Sequence, residues 1–172
     1  MRATPLLLSA TLFSLLAIPA LPAAMAADAT RQAEVATRGA QVMPFDLAAT
    51  THVFTKTSYG GVQQVIVRNP ADTEQIRLTQ THLKGIAAQF RRGDFSGPTD
   101  IHGAAMPGLA ELKNARSGEI DVSYQDIPSG GEIRYSTKND HWVEALHQWF
   151  DAQLSDHGAH AMEGHVHPGM NH

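Results

Sequence analysis

The chain contains no cysteine. Disulfides, thiolate metal sites and thiol nucleophiles are therefore excluded, and the fold must be held by its core, or by its core and a ligand. Aromatic residues are scarce, at 6%. Basic residues are scarce too, with 13 Lys and Arg against 17 Asp and Glu, and Arg91-Arg92 is the only adjacent basic pair. No basic stripe follows a nucleic-acid backbone, so nucleic acid is not an expected partner. The catalytic signatures G-x-S-x-G, H-E-x-x-H and the phosphate-binding loop are all missing.

Only one long apolar run is present, and it lies at the N-terminus. Arg2 is followed by the uncharged stretch Leu6 to Ile18, and then by Leu21-Pro22-Ala23-Ala24-Met25-Ala26. A short positive region, an apolar segment and a small-residue ending form a secretory signal, with cleavage expected after Ala26. The run is shorter than the ~20 residues a membrane span needs, so no membrane association is expected after cleavage. Removing 26 residues from 172 leaves 146, enough for one domain with its own core. The expected setting is periplasmic or extracellular.

What is abundant is histidine, with ten in the chain. Five of them lie between His157 and His172, beside Met162 and Met170. The tail His160-Ala-Met162-Glu-Gly-His165-Val-His167-Pro-Gly-Met170-Asn-His172 has no core pattern and is expected to be flexible. Imidazole and thioether ligands together suit copper in both oxidation states. The bland alternative is a solubilising tail.

Between signal and tail the pattern predicts one α+β domain over 51–157, after a flexible or frayed lead-in over 27–50. Strands are expected at 51–57, 62–68, 119–124 and 132–138, where β-branched and apolar residues concentrate or alternate. Helices are expected from Asp72, a capping residue, to about Arg91, over a short piece starting at Pro107, and from about His141 to Leu154. Val143, Leu146, Phe150 and Leu154 form the expected inward stripe of the last helix. Each half reads strand, Gly-Gly turn, strand, Asn, helix, with Gly60-Gly61 and Asn69 answered by Gly130-Gly131 and Asn139. The expected architecture is a duplicated ββα unit giving about four antiparallel strands with helices on one face.

The stretch Phe90 to Leu109 separates the halves. It is too rich in Gly and Pro for a regular element, yet it carries Asp94, His102 and Met106. Long ordered loops of this kind are disproportionately functional. His82 and His147 lie on the two long helices, and Asp151 follows His147 by one turn, where a carboxylate can orient an imidazole. His82, His102 and His147, with Asp94 or Met106, make a candidate folded site for zinc or copper. His157, near a helix end, is a further candidate ligand. The structural alternatives are an Asx turn for Asp94, a surface position for His102, and core-edge histidines on the helices.

The segments Phe54-Thr55-Lys56-Thr57, Gly60 to Val65, Gly93 to Ser96, Ile101-His102-Gly103, Met106 to Leu109 and His147 to His157 resemble a group of small exported bacterial proteins, some of which carry the name aspartate carbamoyltransferase. The resemblance spans the domain but not the tail, and it implies an exported α+β fold. It does not imply the named activity. The chain is about half the size of such a subunit and lacks the Ser-Thr-Arg-Thr loop that grips carbamoyl phosphate in that family.

Three functions are consistent with these residues. The first is copper sequestration or delivery in the periplasm. The second is a zinc-dependent hydrolase using the same histidines, with Asp94 assisting a bound water. The third is a periplasmic interaction module that takes another protein as partner and needs no metal. Mass spectrometry of the exported protein is expected to find Ala27 at its N-terminus. An intact Met1 on exported protein would exclude the cleavage.

Overall fold

The computed structural model describes Ala23 to His165, with side chains from Asp28 onward. The signal peptide falls almost wholly outside the described residues, and so do His167, Met170 and His172 of the tail.

The fold is α+β, built on a five-stranded sheet of order β3-β4-β2-β1-β5. Strands β1 (Thr50–Thr57) and β2 (Gly60–Val67) form one antiparallel hairpin. Strands β3 (Asp121–Ile127) and β4 (Gly130–Ser136) form the other. The hairpins join through antiparallel β2–β4 pairing. The fifth strand, β5 (Ala161–Glu163), runs parallel to β1 along the sheet edge. The expected sheet of about four antiparallel strands is thus corrected to a mixed sheet of five. The extra strand comes from the segment expected to be a flexible tail. It is short and has no alternating apolar pattern, and its order derives from pairing with β1.

Helix α1 (Ala23–Val42) runs through the segment expected to be a flexible lead-in or a short frayed helix. Its amphipathic signal is weak because Val35 is its main buried apolar residue, at 1% exposure. Helix α2 (Thr73–Phe90) is capped by Asp72, whose side chain accepts the Gln75 N–H. It buries Thr79, Leu83, Ala87 and Phe90, one face at helical spacing. Helix α5 (Asp140–His157) is capped by Asn139, which accepts the His141 N–H. Its buried face includes Trp142, Leu146, Trp149, Phe150, Gln153 and Asp156. That face is rotated from the expected stripe, because the two tryptophans outweigh Val143 and Leu154 in buried area.

The helices pack on the sheet face that presents Phe54, Val65, Ile133 and Tyr135, all buried in one cluster with Trp149 and Phe150. The alternation of the strands turns Gln64, Glu132 and Arg134 to the other face. There the buried Glu132 carboxylate accepts from Gln64, Gln125 and Arg134 at 2.6–2.7 Å.

The stretch from Phe90 to Leu109 is not a plain loop. It contains α3 (Ser96–His102), and α4 (Leu109–Leu112) follows directly, with Leu109 and Leu112 fully buried. Between them the chain comes against α5 at Gly108. A Cβ there would lie 2.1 Å from the Ala145 carbonyl oxygen and 2.5 Å from the Trp149 nitrogen, and φ is +72°. Glycine is required on both counts. Gly108→Ala is expected to destabilise the protein by at least about 2 kcal/mol in urea titration, from left-handed backbone strain and overpacking. An unchanged midpoint would mean that α5 does not sit this close.

Candidate functional site

Four histidines meet beneath α1, and their positions follow from the fold. His52 is in the middle of β1, paired with Val65 on one side and Ala161 on the other. It shares the helix-facing side of the strand with Phe54, and it is 3% exposed. His102 ends α3, and His157 ends α5. His160 closes the 3-10 turn Gly158–His160 that leads into β5.

The rings are in contact. His52 and His157 have centroids 4.6 Å apart, and His157 and His102 are 5.1 Å apart. His102 Nδ1 lies 2.8 Å from Asp156 Oδ2. A carboxylate can only accept here, so Nδ1 carries the proton and Nε2 presents its lone pair. Asp156 also accepts two bonds from Arg31 of α1, at 3.0 and 2.6 Å, and Arg31 reaches the His102 carbonyl oxygen at 2.6 Å. The His102 ring is thus fixed through Nδ1, and its backbone through Arg31.

His52 is different. Both of its ring nitrogens are buried with no hydrogen-bond partner, and His160 Nδ1 is in the same condition. Each orphaned polar atom costs about 1–3 kcal/mol. An isolated core histidine normally finds a backbone or water partner. His52 alone among the described residues has two such nitrogens, and its ring lies against that of His157.

The histidines line neighbouring cavities. The innermost, about 50 Å³, has His52, His102 and His157 in its wall with Trp149 and Gln153. The Trp149 Nε1 and Gln153 Oε1 atoms are also buried without partners. His82 lines the same cavity, with its ring edge-on to Phe45 at 5.7 Å. His82, Val42, Ile86 and Gly97 also line an outer groove between α2 and α3. On the opposite side, His52 and His157 form a wall shared with a second chamber of about 240 Å³ under α1, which His160 and Gln32 complete.

Burial sets the charge state. Desolvation, with help from the neighbouring histidines, lowers the His52 pKa from 6.5 to about 4. The same causes hold His157 well below its ordinary value. Burial also lowers His102, outweighing the Asp156 carboxylate that favours its charged form. For Asp156, burial works to raise the pKa, but the bonds from Arg31 and His102 prevail and hold it below the usual carboxylate value. Near neutral pH His52, His102 and His157 are therefore uncharged imidazoles beside the ionised Asp156 carboxylate.

The candidates read from the sequence are distributed as follows. His82, His102 and His157 line the inner cavity, and His157 and His160 line the chamber under α1. His147 does not line them. Its Nε2 donates to the carbonyl oxygens of Thr57 and Gly60 at 3.0 Å each, clamping the β1–β2 turn to α5. Asp151 does not orient it but pairs with Lys56 at 2.5 Å. Asp94 forms the Asx turn, accepting the Ser96 N–H at 3.1 Å. Met106 is packed in the hydrophobic core at 4% exposure. Met162 and His165 are exposed. His52 and Asp156 were not anticipated. Position His52 shares a strand face with Phe54, and this alternation is the signal that could have found it.

Among the described residues, no group of three or more His, Asp or Glu side chains is placed so that it could hold a metal ion. No family model matches the chain, and neither the curated proteins nor the solved structures contain a match.

The pH dependence of stability follows from His52. Its folded pKa is lowered, so the unfolded chain binds the proton more readily below 6.5. Stability is complete above about pH 6.5 and is lost as pH falls towards 4, by on the order of 3 kcal/mol for this group. Urea midpoints measured from pH 7.5 to 4 are expected to fall steeply in the wild type and less in His52→Phe. An identical slope in both proteins would show that His52 is not buried neutral.

Proposed function

We propose that the chain is an exported transition-metal-binding protein, with copper the preferred ion and zinc the alternative. His52, His102 and His157 hold the metal, and Asp156 and Arg31 position His102. The observation that carries this reading is the unpaired, buried His52 imidazole lying against His157, which in turn lies against a carboxylate-oriented His102.

Several physical features support it. Metal ligands must be deprotonated, and burial keeps these imidazoles neutral. The Asp156–His102 bond leaves Nε2 as the ligand atom, the usual role of a carboxylate behind a metal-bound histidine. Two imidazoles on one tetrahedral ion, with nitrogens about 2.0 Å from it, have ring centroids roughly 5 Å apart. The two ring pairs, at 4.6 and 5.1 Å, already have that spacing. Closing the set requires rotation of side chains, chiefly His52, whose nitrogens have no bond to break. With no thiolate available, an all-imidazole site suits Cu(II) or Zn(II), and copper binds more tightly in the ordinary affinity order. The Met- and His-bearing segment from Met162 onward provides ligands for capture in either copper oxidation state.

The zinc-hydrolase reading would use the same three histidines, with a water in the inner cavity as fourth ligand. Asp94 has no part in it, because its side chain is committed to the Ser96 turn. We also propose that the domain is a doubled ββα unit. The β2–β4 register supports this: Gln63 pairs with Ile133 at its centre, and Gly60–Ser136 and Ile66–Gly130 flank it symmetrically. The first unit supplies His52 and the second supplies His157.

Purified mature protein is expected to take up one Cu(II) in the folded domain, with a rise in melting temperature. A chain ending after Gly164 should keep that uptake, and His52→Ala with His157→Ala should abolish it. Truncation before Ala161 is not an equivalent test, because it removes β5. If the chain ending after Gly164 binds no copper or zinc, the folded site is excluded and only the tail remains as a binding segment.

A further inference from the structure

Resting on that reading, we infer that α1 is a lid on the histidine site, latched by Arg31 on Asp156, and that metal enters or leaves when the helix lifts. The chamber of about 240 Å³ has Gln32, Val35 and Ala36 of α1 in its wall, together with His52, His157 and His160. With α1 in place, both ring nitrogens of His52 are buried. A ligand atom without access to water cannot exchange with an aqueous ion, so loading requires an opening. Lifting α1 removes one wall of the chamber and bares His52 and His157 directly, with no passage through the inner cavity.

Among the three long helices, α1 is the one built to open. From Asp28 to Val42 only Val35 and Gly39 are buried. By contrast, α2 buries Leu83, Ala87 and Phe90, and α5 buries both tryptophans, Leu146 and Phe150. Segments with few buried apolar contacts open at the lowest free energy. What holds α1 is largely polar. Arg31 donates to both Asp156 oxygens and to the His102 carbonyl oxygen, and Gln32 donates to the Ser155 carbonyl oxygen at 3.0 Å. The Arg31 side chain is 36% exposed. Water can therefore take over these bonds as they break, which it cannot do for a buried apolar contact.

The chain also supplies a pivot. Helix α1 ends at Val42, and Pro44, which has no N–H to continue a helix, follows closely. Phe45 is then buried at 5% and fixes the chain to the body. The helix can swing about Met43-Pro44 while Phe45 and β1 stay in place. Latch and site share one group, because Asp156 takes both Arg31 and His102 Nδ1. Opening removes Arg31 from Asp156 but leaves the His102 bond, so His102 keeps its orientation in the open form.

The test has two readouts. The first is hydrogen exchange of the metal-free mature protein, followed by mass spectrometry. Amides of α1 are expected to exchange at least about tenfold faster than those of α2 and α5. Arg31→Gln is expected to quicken α1 by about a further tenfold, the weight of hydrogen bonds to a charged group. Protection of α1 equal to that of α5 in the wild type would overturn the lid, and unchanged α1 exchange in Arg31→Gln would overturn the latch. The second readout is loading. The double variant Gln32→Cys with Ser155→Cys supplies two thiols in a chain that otherwise has none. The thiols are either bridged by a short bismaleimide or capped separately with N-ethylmaleimide, and Cu(II) uptake is followed by stopped-flow absorbance. The bridged protein is expected to load at least about tenfold more slowly than the capped one, as a closed lid requires. Equal rates would overturn gating by α1 while leaving the folded site intact. Wild-type protein that takes up no copper would remove the site, and the gating with it, whatever the exchange of α1.

Discussion

The Asp156 carboxylate is the point on which the rest of the arrangement depends. It lies in the last turn of α5, where a negative charge is opposed by the helix dipole. Two bonds from Arg31 and one from His102 outweigh both that opposition and the desolvation. Those same bonds tie α1, α3 and α5 together. Without Arg31, α1 would be held mainly by Val35. Without His102, the end of α3 would have no polar anchor to α5. The interaction that orients the imidazole therefore also closes the roof over the site. This economy explains how a helix of weak amphipathic character packs in a fixed place.

The sheet imposes a complementary constraint from below. His52 points at the helices because β1 places alternate side chains on one face, with Phe54 two positions on. A hydrophobic residue at 52 would have completed the apolar cluster next to Phe45 and Phe54. An imidazole there carries two unpaired nitrogens in a dry environment. Natural sequences violate local packing rules chiefly at functional sites. Here the violation adjoins a cavity whose other polar atoms, Trp149 Nε1 and Gln153 Oε1, are also unpaired. Unpaired atoms also occur elsewhere, at Thr57, Thr79 and Trp142, but His52 alone has two.

Much of the fold was legible in local chemistry. The four strands of the two hairpins, the Asp72 and Asn139 caps, the inward Leu109 and Leu112, and the Asx turn at Asp94 all follow from turn residues, alternation and helical spacing. Other features depend on tertiary partners and left little local trace. Helix α1 lacks a clear stripe because its anchor is the ion pair of Arg31. Strand β5 exists because β1 offers an unpaired edge. Helix α3 was hidden by Gly97 and Pro98, which are tolerated in its first turn. Of the site, His82, His102, His157 and His160 could be singled out by residue type. His147 could not be separated from them, because a histidine whose Nε2 donates to two turn carbonyls has the same helical spacing as one that faces a cavity. His52 was hidden inside a strand whose other residues read as ordinary core.

The proposed three-histidine set also bears on how selectivity would arise. Affinity order alone favours copper over zinc at any imidazole site. What this protein adds is a buried surrounding in which the Asp156 carboxylate is neutralised by Arg31. A neutral ligand set leaves the full charge of the ion uncompensated. A doubly charged ion there would bring a small anion with it into the inner cavity, which offsets the charge that the neutral imidazoles leave.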